Sequence, residues 1–308
     1  MSRKVSVFGA GNVGAEVARR IVEKKLADVV LVDILEGIPQ GKALDILQSG
    51  PVEGFDNKIV GTNAPSDIKG SDVVVVTAGL ARKPGMSRDD LQEANAKIVK
   101  GIIENIKKFA PDSIIIMVTN PLDVMTYLAY KVSGFEKNRV FGMAGLLDTA
   151  RMITFISMEL NVPPSNIEAI VLGGHGDLMV PVISRTKVNG KPISGLLAKE
   201  KIDAIVKRTA NGGAEIVNLL KTGSAYYSPS SSAVAMVGSV IKNKGDIIPI
   251  AVILDGEYGL KDVCIGVPAK IGRNGIDKVV EIKLTAEERS MLIRSANSVR
   301  ENIGKLKM

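Results

Sequence analysis

Short apolar runs alternate with helical segments through the first half of the chain. The runs predict strands at residues 4–8, 29–32, 58–62, 73–77, 113–118 and 140–142. Helices are predicted from the turn at 9–14 to about residue 25, and at 38–49, 87–109 and 122–133. Because a strand, a helix and a parallel strand join in a right-handed crossover, this alternation predicts a doubly wound α/β sheet of the Rossmann type.

The second half has a different pattern, which predicts a largely antiparallel sheet. Its predicted strands are residues 167–172, 179–184, 248–254, 263–270 and 279–284, with a hairpin at 187–191. Its predicted helices are residues 149–160, 198–221, 229–243 and 286 to about 305. Ser228 is expected to cap the third of these helices, and Thr285 with Glu288 to form a capping box for the last. We therefore expect two domains, residues 1–143 with the parallel sheet and residues 144–308 with an α+β fold.

Composition and charge narrow the possible functions. The net charge of +7, from 40 basic and 33 acidic residues, raises the possibility of a nucleic-acid partner. The basic residues are scattered, however, and the 6 Phe and 5 Tyr residues form no stacking motif. We expect no nucleic acid, no membrane and no export signal, since no apolar run is long enough to span a bilayer. The single cysteine, Cys264, excludes an intramolecular disulfide and favours a cytoplasmic location.

A glycine-rich turn follows the first predicted strand. Gly9, Gly11 and Gly14 have the spacing of a dinucleotide-binding turn, and they lie between a strand and a helix. Asp33 ends the second strand, where its carboxylate can accept hydrogen bonds from a ribose diol and would repel a 2′-phosphate. The residue after it, Ile34, offers no compensating positive charge. These features predict NAD, rather than NADP, as the cofactor.

The only histidine of the chain, His175, lies in the turn Gly173-Gly174-His175-Gly176-Asp177. A histidine can donate and accept a proton near neutral pH, so it is a candidate acid and base. The alternative is a surface or core histidine without a chemical role. Asp148 and Arg151 are three residues apart on one helical face, where such a pair is more often a surface ion pair. No metal site is expected.

Other candidates lie in the turns after the remaining strands, where ligands of such sheets bind. Gly79 would let the chain pass close to a cofactor, and Arg82, Lys83 and Arg88 place three cations in a Pro-Gly loop. A solvated basic loop is the alternative. Asn120 precedes Pro121 and could present its amide to a ligand, or be a simple turn residue.

Taken together, these motifs resemble those of the lactate/malate dehydrogenase family, in the same order and over essentially the whole chain. They are residues 9–14, 82–88, 118–121, 147–151 and 173–177. The resemblance implies that His175 is the proton donor and acceptor and that Asp148 orients it. It implies further that Arg151 binds the C1 carboxylate of a 2-keto acid, that Arg88 polarises the ketone, and that Asn120 contacts substrate and cofactor. The predicted cofactor contacts are Gly9, Gly11, Asn12, Val13, Gly14, Asp33, Gly79, Asn95, Val118 and Asn120.

The resemblance also bears on the substrate and the assembly. The position of Arg82 is an arginine in the malate enzymes of the family and typically a glutamine in the lactate enzymes, so Arg82 implies oxaloacetate and malate. A role in the tricarboxylic acid cycle and a homodimer or homotetramer are implied as well. The alternatives are a lactate or broad 2-hydroxy-acid dehydrogenase, and a regulator that binds NAD without catalysis.

Overall fold

The computed structural model describes residues 3–80 and 87–306, apart from the side chain of Arg88. Strands and helices alternate through the first half of the chain, as the sequence predicts. They are β1 (Lys4–Phe8), α1 (Asn12–Glu23), β2 (Asp28–Val32), α2 (Ile38–Glu53), β3 (Ile59–Thr62), β4 (Val73–Val76), α3 (Arg88–Phe109), β5 (Ile114–Met117), α4 (Leu122–Ser133) and β6 (Val140–Gly142).

Long helices and a pair of long strands dominate the second half. The helices are α5 (Gly145–Leu160), α6 (Lys199–Leu220), α7 (Tyr227–Lys242) and α8 (Ala286–Gly304). The strands are β7 (Ile167–Glu168), β8 (Val171–Gly173), β9 (Met179–Pro181), β10 (Lys187–Val188), β11 (Lys191–Pro192), β12 (Asp246–Asp255), β13 (Lys261–Gly272) and β14 (Gly275–Val279).

One sheet runs through both halves of the described chain. Its first six strands are parallel, in the order β3-β2-β1-β4-β5-β6, which is the doubly wound arrangement predicted from the sequence. β12 continues the sheet antiparallel to β6, through the pairing of Ala251 with Gly142, and is followed by β13, β8 and β9. The sheet therefore brings the glycine-rich turn after β1 and the histidine turn after β8 into one continuous structure.

The core is centred on the parallel strands. Every residue of β4 and β5 is buried, because helices cover both faces of a parallel sheet and leave neither face to water. A second, smaller cluster packs α5 against α6 through Met152, Ile156, Ile202 and Ile205. None of the helices in the described ranges is long and apolar enough to cross a membrane.

The structure corrects several local predictions in the second half. The single strand predicted at residues 167–172 divides into β7 and β8, which belong to two different sheets. The strand predicted at residues 279–284 lies earlier, as β14, because β13 extends to Gly272 and turns back through Arg273 and Asn274. The predicted cap Ser228 is already inside α7. That helix starts two residues earlier, since the carbonyl of Tyr226 accepts the N–H of Ser230. The capping box of Thr285 and Glu288 is confirmed.

We expect the burial of β4 to dominate the stability of the parallel sheet. Val74 on β4 is fully buried, whereas Val60 on the edge strand β3 is 55% exposed. Removing two methyl groups from the packed site should lower the free energy of unfolding by about 2–3 kcal/mol. Urea unfolding of Val74→Ala measures this loss, and Val60→Ala is the control with the same chemical change. Equal losses in the two variants would contradict the assignment of the core.

Candidate active site

The glycine-rich turn after β1 is shaped by contacts that exclude larger side chains. Gly9 has a φ of +101°, and a Cβ atom on Gly14 would lie 1.7 Å from the carbonyl oxygen of Gly9. By contrast, a Cβ on Gly11 would meet no atom within 4 Å. The turn thus has no space for a side chain at Gly9 or Gly14, whereas its face at Gly11 is open. That open face lies at the N-terminus of α1, where the first N–H groups lack carbonyl partners within the helix and attract phosphate.

Asp33 lies beside this turn, at the end of β2. One carboxylate oxygen accepts the N–H of Ala10 at 2.6 Å, and the other accepts the N–H of Leu35 at 3.0 Å. The next residue, Ile34, is 93% exposed and brings no positive charge to the site. The turn and the carboxylate therefore fit a dinucleotide whose adenosine ribose carries no 2′-phosphate.

A cavity of about 510 Å³ extends from the turn to the histidine. Its walls come from both halves of the chain, and they include seven of the residues predicted from the sequence. These are Val13, Gly79, Asn95, Val118, Asn120, Arg151 and His175. Ala225, a small residue, also lines it. The cavity thus joins the predicted cofactor turn to the predicted acid and base.

Two of the predicted residues shape the middle of the cavity. Gly79 passes so close to β5 that a Cβ would lie 2.6 Å from the side-chain methyl group of Thr119. Asn95, which is buried, accepts the N–H of Leu80 at 2.7 Å and donates to the carbonyl of Asn120 at 2.7 Å. Asn95 therefore fixes the two loops that hold Gly79 and Asn120. Its direct contact with the cofactor stays a prediction.

His175 and Asp148 form a buried pair at the other end of the cavity. His175 Nδ1 lies 2.9 Å from Asp148 Oδ2, and the two side chains are 16% and 2% exposed. This bond leaves Nε2 as the ring nitrogen available to the cavity. Burial acts to lower the pKa of His175, but the charge and the hydrogen bond of Asp148 outweigh it, so the pKa is raised. The arrangement favours an imidazolium that can donate a proton from Nε2.

Arg151 lies on the other side of Asp148, one helical turn along α5. Its guanidinium reaches Asp148 Oδ1 at 3.4 Å, is only 13% exposed and has a buried Nε atom without a hydrogen-bond partner. Burial lowers the pKa of Arg151, and the charge of Asp148 opposes that effect. This cation is therefore incompletely paired inside a cavity, a setting in which a carboxylate ligand would satisfy it. The alternative of a surface ion pair is wrong, because both side chains are largely buried.

Glycines of α6 make room for this guanidinium. A Cβ on Gly212 would lie 3.1 Å from Arg151 Cδ, and one on Gly213 would lie 3.4 Å from Nη2. Two adjacent glycines weaken a helix, so their presence in the middle of α6 needs a reason. Close approach to Arg151 supplies it. Two adjacent glycines inside a predicted helix are the signal in the sequence from which this close contact could have been inferred.

Asp123 is a further residue of the site that was not predicted from the sequence. It lies in the first turn of α4, where its Oδ2 accepts the backbone N–H of His175 at 2.9 Å. Oδ1 is buried without a hydrogen-bond partner, and burial raises the pKa of this carboxyl to about 6. Asp123 thus holds the backbone of the histidine turn and adds a second carboxyl group near the imidazole. Its only signal in the sequence is one acidic residue near the start of a mostly apolar helix.

Some predicted residues cannot be placed. Arg82 and Lys83 lie outside the described residues, and so does the side chain of Arg88. The backbone of Arg88 is the first residue of α3, with Ser87 as its N-cap in a capping box with Asp90. In the described ranges, no group of three or more His, Cys, Asp or Glu side chains is placed to hold a metal ion.

A dinucleotide turn joined by one cavity to a buried His–Asp pair and an arginine defines an NAD-dependent oxidoreductase. Models of two protein domains match this chain, the NAD-binding domain of lactate/malate dehydrogenase over residues 3–142 and its α/β C-terminal domain over residues 146–308. The chain belongs to the lactate/malate dehydrogenase family.

Individual relatives are similar over nearly the whole length. A malate dehydrogenase of Chloroherpeton thalassium is 55% identical over 304 residues, with 98% of both chains covered. The structure of the malate dehydrogenase of Picrophilus torridus in its apo form superimposes with a TM-score of 0.96 at 47% identity, covering 99% of this chain and 97% of that one. A lactate dehydrogenase of Cryptosporidium parvum, complexed with lactic acid and NAD, has a TM-score of 0.96 at 43% identity, covering 99% and 98%.

The electrostatic role of Asp148 can be measured without a substrate. In Asp148→Asn the pKa of His175 should fall, because burial then acts without the stronger of the two carboxylate charges that oppose it. His175 is the only histidine in the sequence, so a single imidazole resonance in a heteronuclear NMR titration reports this pKa. Asp112→Asn, which changes an exposed carboxylate, is the control. A titration of Asp148→Asn that matches the wild type would rule out this role of Asp148.

Proposed function

We propose that the chain is an NAD-dependent malate dehydrogenase, which interconverts malate and oxaloacetate with His175 as the proton donor and acceptor. The observation that carries the proposal is the buried row of His175, Asp148 and Arg151 at the end of the cavity that begins at the glycine-rich turn. The relatives that are named malate dehydrogenase support the choice of substrate.

Each residue of the row has a separate task. NAD, when bound, accepts a hydride from the hydroxyl-bearing carbon of malate, and NADH returns it to the ketone. Protonated His175 would donate its Nε2 proton to the carbonyl oxygen on which negative charge develops, and neutral His175 would remove that proton in the reverse direction. Asp148 holds the ring through Nδ1 and favours the charged form. Arg151 offers a planar pair of donors to the C1 carboxylate.

The choice of oxaloacetate over pyruvate depends on Arg82. A second cation in the closed site would pair with the C4 carboxylate of oxaloacetate, whereas pyruvate would leave it desolvated and unpaired. The small side chain of Ala225 in the cavity wall leaves room for the longer acid. Arg88, six residues after Arg82 in the sequence, would stabilise the developing charge on the ketone oxygen. Asn120, which lines the cavity, would contact substrate and cofactor.

A parallel rate assay tests the function. NADH oxidation should be fast with oxaloacetate and at least a hundredfold slower with pyruvate, measured as kcat/KM, and NADPH should replace NADH poorly. His175→Asn should lose nearly all turnover but keep its affinity for NADH, because the histidine lies at the substrate end of the cavity. NADH fluorescence measures that affinity.

The outcomes separate the alternatives. If pyruvate is the better substrate, the enzyme is a lactate or broad 2-hydroxy-acid dehydrogenase, and the role of Arg82 is wrong. If NADH binds tightly and neither acid is reduced, the chain is an NAD-binding regulator. Near-normal turnover in His175→Asn would remove His175 from the chemistry.

Arg82→Gln tests the basis of specificity. We expect the ratio of kcat/KM for oxaloacetate over pyruvate to fall by about two orders of magnitude, since the unpaired cation costs roughly 3 kcal/mol in a closed site. Lys83→Gln removes the same charge from the neighbouring position and should change the ratio much less. An unchanged ratio in Arg82→Gln means that another residue reads the C4 carboxylate.

Assembly and location complete the proposal. We place the enzyme in the cytoplasm as a homodimer or homotetramer. The exposed apolar side chains of α2, which include Ile38, Leu44 and Leu47, support self-association because their burial between two copies would remove apolar surface from water. The single cysteine fits a reducing compartment.

A further inference from the structure

One residue of the glycine-rich turn, Ala10, is held through both its backbone N–H and its backbone carbonyl by charged side chains. The N–H of Ala10 donates to Asp33 Oδ2 at 2.6 Å, and the carbonyl of Ala10 accepts from Lys42 Nζ at 2.7 Å. Asp33 comes from the end of β2, and Lys42 comes from the second turn of α2. The carboxylate of Asp33 belongs to the sequence pattern of dinucleotide-binding turns, whereas that pattern assigns no role to Lys42.

Contacts at the start of α2 fix the position of Lys42. Helix α2 lies so close to β3 that a Cβ on Gly61 would be 2.0 Å from the carbonyl oxygen of Pro39. Gln40 donates to Asn63 Oδ1 at 2.6 Å, and Asn63 donates in turn to the carbonyl of Asp33 at 2.8 Å. The first turn of α2 is therefore bound to the end of β2, which also carries Asp33. Lys42 can thus reach Ala10 from a fixed helix and not from a free loop.

The surroundings of Lys42 leave its charge available to a ligand. Lys42, Asp45 and Asn12, the first residue of α1, line one groove of about 250 Å³. The other cation in the groove, Arg19, is bound to Glu16 and Glu23. Within the described ranges no carboxylate forms an ion pair with Lys42, and the hydrogen bond to Ala10 uses one of its three donors. Its positive charge thus lies beside the end of α1 at which a pyrophosphate is expected.

We propose that Lys42 is a positioning and charge-supplying residue for the pyrophosphate of the dinucleotide, holding the Ala10 carbonyl in place and offering its charge to the phosphate oxygens. The proposal builds on binding of NAD at the glycine-rich turn and is independent of which acid is the substrate. The proposal predicts different effects for two parts of the cofactor, because Lys42 acts on the charged diphosphate and not on the neutral adenosine.

Binding measurements with fragments of the cofactor test this role. Lys42→Met should bind NADH and ADP-ribose about tenfold more weakly than the wild type, because both contain the pyrophosphate, and should bind adenosine within twofold of it. Its NADH affinity should also depend less on salt between 0.05 and 0.5 M, since a screened charge is missing. Lys42→Arg keeps the charge and should stay within about threefold of the wild type.

The controls make a negative result decisive. Lys278→Met removes one exposed lysine from β14 and should leave all three affinities unchanged, which accounts for net charge. Unchanged NADH affinity in Lys42→Met would overturn the proposal. An equal loss for adenosine would overturn it as well, because Lys42 would then support the fold of the turn only. Failure of malate turnover in the wild type, with these affinities as expected, would contradict the proposed substrate and leave this inference standing.

Discussion

The carboxylate of Asp148 is the group on which the arrangement of the site depends. A carboxylate that is 2% exposed must be satisfied inside the protein, because leaving water without partners costs several kcal/mol. Its two oxygens satisfy this requirement with different cations, His175 on one side and Arg151 on the other. One buried charge therefore sets the orientation of the proposed acid and of the proposed substrate anchor together. Glycines of α6 keep open the space that Arg151 needs.

The backbone around this group is equally constrained. The turn that carries His175 is held by Asp123 from α4 and by Ser295 from α8, which accepts the N–H of Gly174 at 2.9 Å. Helix α4 begins directly after Asn120 and Pro121, so the same segment lines the cavity and anchors the histidine turn. The continuous sheet then sets the distance between that turn and the glycine-rich turn. Fixed geometry of this kind is what hydride transfer to a carbonyl carbon and proton transfer to its oxygen require.

The sequence predicted these features to different extents, for physical reasons. The parallel half was predictable because strands buried on both faces are uniformly apolar, as in Val73–Val76, and glycines with a fixed spacing mark the cofactor turn. The strand β14 was misplaced because two residues suffice to reverse the chain after Gly272, and an Arg-Asn pair is a weak turn signal. Helical spacing alone left a surface ion pair open for Asp148 and Arg151, because it puts residues on one face without showing what covers that face. The covering residues are distant in sequence, the histidine turn at Asp148 and helix α6 at Arg151.

Asp123 was not predicted either, because its contact with the histidine turn joins residues that are distant in sequence. Its carboxyl group changes the electrostatics of the site. The imidazole of His175 faces two carboxyl groups and one arginine, and the charge of Asp123 also contributes to raising the pKa of His175. A keto acid and the corresponding hydroxy acid carry the same carboxylate charges, so the site cannot distinguish them by charge alone. In the proposed mechanism the proton on His175 makes the difference, since imidazolium can donate to a ketone oxygen and neutral imidazole can accept from a hydroxyl group. By raising the pKa of His175, Asp148 and Asp123 would thus increase, at a given pH, the fraction of the protein that is ready to reduce the ketone and decrease the fraction that is ready to oxidise the hydroxyl group.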